Sequence, residues 1–203
     1  MGVSAILYTA FLAAVGLGRL VELRISRRNR QSMMALGAAP VPDPNFRWMV
    51  ALHAGILVFA GLEVWFLRRP FLPTLAATMA ALFLLSNAVR WWVIVTLAGH
   101  WNVQVMASTG LGVVSSGPFR WVRHPNYAAV FVEMIALPLI HTAWLTALAG
   151  AIAHIFVLHG RLKLEDRVLL ADPAYRTAMG WKPRFIPNFF SAARHPEEAS
   201  SRR

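Results

Sequence analysis

The amino-acid sequence predicts an all-α integral membrane protein of about five transmembrane helices, with a polar cytoplasmic connector and a C-terminal amphipathic helix. Three observations point there. Of 203 residues, 57% are hydrophobic and only 14% charged, with a mean hydropathy of +0.51, far from the balance of a soluble domain. The apolar residues fall in runs long enough to cross a bilayer, about 20 residues at a time. The 20 Lys and Arg against 9 Asp and Glu, a net charge of +11, lie mostly between those runs, where cytoplasmic loops meet anionic headgroups. That placement argues for membrane lipids as partners and against nucleic acid. The absence of cysteine excludes disulfides, thiolate chemistry and Cys-ligated zinc.

The first span is residues 3–23. No basic residue precedes Arg19 and no small-residue cleavage site follows, so the segment reads as a retained helix and not a cleaved signal. Arg19 and Glu22 stand one turn apart and can pair; near a membrane edge the pair reads first as an interfacial anchor. Arg24, Arg27, Arg28 and Arg30, followed by the Gly- and Pro-rich stretch 37–44, form a basic loop. That loop places the N-terminus outside, and the C-terminus and polar clusters at the cytoplasmic face of the membrane, the inner membrane in a bacterium.

The second span is 46–67 and the third 72–98, divided by Arg68-Arg69-Pro70. His53, alone on an apolar face, reads as a core histidine. Arg90 lies one turn from Asn87 and just ahead of Trp91-Trp92; Arg90 and Trp91 are candidates for the wall of an acceptor pocket, with an aromatic belt as the other reading. Residues 99–116 are too polar and Gly-rich to span, and form a turn-rich connector with room for a short strand.

A fourth span, 127–141, is short, so a tilt, a kink at Pro138 or a re-entrant hairpin all fit. Glu133 lies inside it and must face protein or water, with Arg90, Arg120 or Arg161 as partners. The fifth span is 143–164, and an amphipathic surface helix covers 166–180. Residues 1–190 make one domain, and 191–203 form a disordered polar tail. His141, His154 and His159 share no metal-binding spacing, and no metal is expected.

Two polar clusters bracket the last hairpin. The first is Gly117-Pro118-Phe119-Arg120-Trp121-Val122-Arg123-His124-Pro125-Asn126-Tyr127, the second Arg161-Leu162-Lys163-Leu164-Glu165-Asp166-Arg167. Proline holds His124 extended at the mouth of the fourth span, beside the free amides of its first turn, where an anionic group is stabilised. The same residues could instead contact lipid phosphates. Arg161 and Glu165 share a helix face and either neutralise each other or hold two substrates of opposite charge.

The hinge followed by an apolar hairpin and Arg161-x-x-x-Glu165 resembles the isoprenylcysteine carboxyl methyltransferase family, firmest over residues 104–187. Residues 19–23 with 26–29 resemble its small bacterial branch, some members of which methylate the hydroxyl of alkylpyrones. The resemblance implies S-adenosylmethionine held by Gln104, by Leu111, Gly112, Val113 and Val114, by Phe119, His124, Pro125, Asn126 and Tyr127, and by Glu165. It implies that Arg161 faces the acceptor. Phe119 departs from the usual tyrosine, and Asp166 from the usual glutamate.

The expected reaction is methyl transfer to an oxygen, carboxylate or acidic hydroxyl, of an amphiphilic small-molecule or lipid-modified acceptor whose tail lies in the bilayer. Arg161 and Glu133 are the candidate catalytic residues, with Glu133 or His124 as a base where a hydroxyl must lose its proton. A phospholipid N-methyltransferase, a sterol-type reductase and a non-catalytic scaffold are the alternatives.

Overall fold

The computed structural model describes residues 2–107 and 111–187. The polar tail at 191–203 lies outside the described residues. Six α-helices run in chain order: α1 (Val3–Ala35), α2 (Phe46–Phe66), α3 (Pro73–Leu97), α4 (Pro125–Leu139), α5 (Trp144–Ala171) and α6 (Pro173–Met179). Between them lie a two-residue antiparallel ladder, β1 (Ala39–Pro40) with β2 (Met106–Ala107), and 3-10 turns at Ala98–His100 and Gly117–Arg120. The chain is an all-α integral membrane protein.

Helices α1, α2, α3 and α5 are long and apolar enough to cross a membrane; α4 is shorter, at 15 residues. At 1.5 Å per residue α4 covers roughly 22 Å of a hydrocarbon layer about 30 Å thick. Its C-terminal end is set by Pro138, whose carbonyl accepts the amide of Ala143 in the tight turn to α5.

Two expected boundaries move. The basic segment after residue 23 is not a loop: α1 runs on to Ala35, 33 residues in all. Nothing between Leu23 and Ala35 breaks a helix, and Arg, Met and Gln propagate one well, so charge marked the membrane edge but not the helix end. The helix stops at Gly37, φ +90°, where the amides of Gly37 and Ala38 close back on Met34 and Met33. Likewise the surface helix expected over 166–180 is divided. Its first residues extend α5, and Asp172 then caps α6 by accepting the amide of Ala174 at 2.8 Å.

At the end of the bundle that holds the α4–α5 turn, Glu63 near the end of α2 closes the first turn of α5. Its carboxylate accepts the amides of Leu145 (3.1 Å) and Thr146 (2.7 Å) and pairs with Arg69 (2.7 Å), so the free donors of one helix are satisfied by another. Tyr8 of α1 donates to the Leu137 carbonyl in the last turn of α4 (3.0 Å). The helices are therefore tied together at that end. At the opposite end, the extension of α1 carries the connector: Asn29 donates to the carbonyls of Ala98 and Trp101 at 2.9 Å, and Arg30 to Gln104 Oε1 at 2.8 Å.

Candidate active site

The hinge after α3 is built from local constraints. Gly117 adopts φ +55°, and a Cβ there would lie 2.5 Å from Thr96 Oγ1, so glycine is required on two counts. The turn that follows buries Phe119 and presents its carbonyl to Lys182 Nζ (2.8 Å). Lys182 is itself buried, and desolvation pulls its pKa below the usual lysine value. His124 has φ −126° and ψ 57°, short of the fully extended geometry expected before a proline, and Pro125 starts α4 at the position where a missing amide hydrogen costs nothing.

Asp166 gathers the hinge. It accepts from His124 Nε2 at 2.8 Å, Arg123 Nη1 at 3.2 Å and Arg184 Nε at 2.8 Å. The amides of Arg123 and His124 donate to the carbonyls of Pro183 and Arg184, so the segment after α6 runs back along the hinge. The acidic residue at position 166 thus positions the hinge from behind.

Next to it, the Tyr127 hydroxyl donates to Glu165 and accepts from Arg161 Nε (2.6 Å). Arg161 spends its remaining donors on Asp43 Oδ2 (2.8 Å) and the Val103 carbonyl (2.5 Å). Of the two readings of Arg161 and Glu165, direct neutralisation is not observed: a tyrosine bridges them. The two polar clusters, about 40 residues apart in sequence, meet side chain to side chain.

One cavity of about 510 Å³ lies at the end of the bundle that carries the hinge. The connector supplies Gln104, Leu111, Gly112, Val113 and Val114; the hinge supplies Phe119, His124, Pro125, Asn126 and Tyr127; α5 supplies Arg161 and Glu165. Every residue expected at the cofactor lines this one space. Asn126 Oδ1 is buried there without a hydrogen-bond partner. From the far side Tyr175 of α6 closes the cavity, its pKa pushed up to about 12 by burial and by Glu165.

Two expectations about the acceptor side need correction. Glu133 is 3% exposed and does not line the cavity; it accepts from Arg19 Nη2 (2.6 Å) and Asn87 Nδ2 (3.1 Å). Trp91 faces outward, 37% exposed, and is not a wall of the pocket. Arg90 does line the cavity, but its guanidinium is committed to Glu22 (Nη2 to Oε2, 2.5 Å). Arg19 and Glu22 do pair (2.7 Å), not as an interfacial anchor but inside this network of two arginines and two glutamates joining α1, α3 and α4. Charges at that depth persist only when matched, which accounts for the stoichiometry.

His53 and His154, which line the cavity, were set aside in the sequence, and Asp43, the carboxylate partner of Arg161, was missed. Asp43 sits in a Gly-, Ala- and Pro-rich stretch that reads as a plain linker. The 53–154 pairing had one available signal, a histidine on each of two spans seven residues from a polar end.

Residues 79–171 match the Isoprenylcysteine carboxyl methyltransferase (ICMT) family. An uncharacterized protein of Bacillus subtilis, YpbQ, is 29% identical over 166 residues, 80% of this chain and 96% of that one. An uncharacterized protein of Haemophilus influenzae is 28% identical over 152 residues, 74% of this chain and 88% of its own. Among solved structures, the eukaryotic intramembrane Ras methyltransferase ICMT superposes with a TM-score of 0.50 at 22% identity, over 67% of this chain and 50% of that one. The matched segment runs from within α3 through the connector, the hinge and α4 to the last residue of α5, so it holds the hinge, Tyr127, Arg161 and Glu165. Residues 79–171 are thus similar to the ICMT family, and the chain has an ICMT-like membrane fold.

Proposed function

We propose that the protein is a membrane methyltransferase that uses S-adenosylmethionine to methylate an oxygen of an amphiphilic acceptor. The observation that carries this reading is the convergence of the connector, the hinge and the Arg161–Tyr127–Glu165 cluster on one cavity within the matched segment.

The residues present fit the cofactor. Its ammonium group is a partner for the Glu165 carboxylate, and the unpartnered Asn126 Oδ1 takes an N–H donor. Phe119, Val113 and Val114 offer an apolar wall for the adenine ring. When bound, the cofactor supplies an electrophilic methyl group. The chain's own work is to hold donor and acceptor in line and to keep water out. Tyr127 fixes the spacing between the carboxylate that faces one ligand and the guanidinium that faces the other.

The acceptor reaches the cavity sideways from the bilayer. Leu20 of α1 and Val50 of α2 line the cavity and are 61% and 42% exposed, which supports an opening between those helices. An apolar tail can therefore remain between the helices while the head meets the cofactor at the inner edge. Such an acceptor is a lipid-like or lipid-modified molecule. Orientation follows from charge: the basic end of α1 and the hinge lie at the cytoplasmic face, where the cofactor is available.

Calorimetry of S-adenosylhomocysteine with the detergent-purified chain tests the reading. Micromolar binding by the wild type, lost or weakened at least tenfold in Glu165→Ala, is the expected outcome. A folded wild type with no affinity sinks it and favours a reductase or a scaffold.

A further inference from the structure

Two histidines lie deeper in the same cavity than the clusters just described. His53 of α2 and His154 of α5 face each other with ring centroids 6.2 Å apart, and both line the space. His154 is on the α5 face that carries Arg161 and Glu165, two helical turns nearer the membrane interior, roughly 10 Å along the axis from Arg161. Its ring is 3% exposed, and neither nitrogen has a hydrogen-bond partner. The Nδ1 atom of His53 contacts the Met49 carbonyl at 2.7 Å. A carbonyl only accepts, so that nitrogen carries the hydrogen and Nε2 is left with its lone pair.

The cations nearby are in the opposite condition. Arg19, Arg90, Arg123 and Arg161 all line the cavity, and each is already matched by a carboxylate of the chain: Glu22 and Glu133, Glu22, Asp166 and Asp43. An anionic head entering the deep part finds no unmatched positive charge there. An uncharged head with a hydroxyl finds two imidazoles able to accept from it or donate to it.

We propose that His53 and His154 form an acceptor-binding subsite, one that takes an uncharged, hydroxyl-bearing head in preference to a carboxylate. The inference rests on the methyltransferase reading for the word acceptor, but not for the binding. Leu57, Val130, Val157 and Leu158 supply the apolar walls around the pair. The subsite is continuous with the lateral opening at Leu20 and Val50, so a head carrying a long alkyl tail reaches it without passing the cofactor.

The test uses the full chain in detergent, labelled with 15N-histidine, and two probes of equal tail length, dodecylphenol and dodecylbenzoate. The phenol is expected to bind and to shift two imidazole resonances, the ones that vanish in His53→Phe and His154→Phe. His154→Phe weakens phenol binding about tenfold, the loss of one hydrogen bond to a neutral partner, and His154→Gln restores most of it. Benzoate binds more weakly than phenol to the wild type. S-adenosylhomocysteine affinity stays within about twofold in these variants, which also reports that they are folded. Phenol bound equally by the His53→Phe, His154→Phe double variant, benzoate preferred by the wild type, or no imidazole shift on adding phenol each overturns the subsite. Imidazole shifts with phenol in a chain that has no affinity for S-adenosylhomocysteine leave the subsite standing and remove the methyltransferase reading instead.

Discussion

Tyr127 occupies the position on which both halves of the site depend. Its hydroxyl is the sole link between the guanidinium of Arg161 and the carboxylate of Glu165 among the described hydrogen bonds. Removing it in Tyr127→Phe keeps the ring and leaves a buried Arg donor without its acceptor, a loss of about 1–3 kcal/mol. The expected result is S-adenosylhomocysteine binding weakened by roughly tenfold to a hundredfold, read by calorimetry. Unchanged affinity would mean that the cofactor draws nothing from the bridge. Asp43 separates the two substrates differently. It touches Arg161 and not Glu165, so Asp43→Asn is expected to change acceptor KM severalfold while leaving cofactor affinity near that of the wild type. The sequence made the hinge residues and Arg161 with Glu165 legible because they combine polar chemistry with a position beside a membrane-grade run. It hid Asp43, because an aspartate in a Gly- and Pro-rich linker has no periodicity to say which way it faces. It misassigned Glu133 for a related reason: a carboxylate at membrane depth shows that a partner exists, not whether that partner is a ligand or another helix.

Among the elements, α1, α3 and α4 are held to one another by charge as well as by packing. Arg19, Glu22, Arg90 and Glu133 balance two against two, with Asn87 filling a remaining acceptor. Glu133→Gln leaves an uncompensated positive charge between helices, and a loss of about 3–5 kcal/mol is expected for breaking such a buried network. The measurement is thermal unfolding in detergent beside cofactor affinity at a temperature where the variant is folded. A large fall in Tm with near-normal affinity marks a structural carboxylate; full stability with lost methyl transfer would restore Glu133 as a base. The helices themselves were readable as apolar runs, and their order came through, with α4 shorter than the other four. Their ends on the cavity side were not, since a helix such as α1 leaves the membrane without any break in propensity, and hydropathy reports only where lipid stops. The Glu63 cap on α5 was equally hidden, because it joins residues some 80 positions apart, a contact that no local pattern encodes.

At the scale of the whole molecule, the two ends of the bundle differ in charge and in what they do. The end away from the cavity carries Arg68 and Arg69, but Arg69 is neutralised by Glu63, so the count that opposes the proposed orientation is smaller than the sequence suggests. The other end gathers Arg24, Arg27, Arg28 and Arg30 on the extension of α1, together with the hinge arginines, and it is there that the cavity lies. Orientation and function are therefore one question: if the basic end faces the cytoplasm, the cofactor reaches its site directly, whereas the reverse arrangement would strand it. The cysteine-free chain makes this measurable with single substitutions. Thr74→Cys lies exposed at the start of α3, at the end away from the cavity, and Ser32→Cys lies exposed near the end of α1, at the cavity end. In intact cells a membrane-impermeant maleimide is expected to label Thr74→Cys and to reach Ser32→Cys only after permeabilisation. The opposite pattern would place the cavity mouth outside, and a cytosolic methyl donor would then have no route to Glu165 and Tyr127.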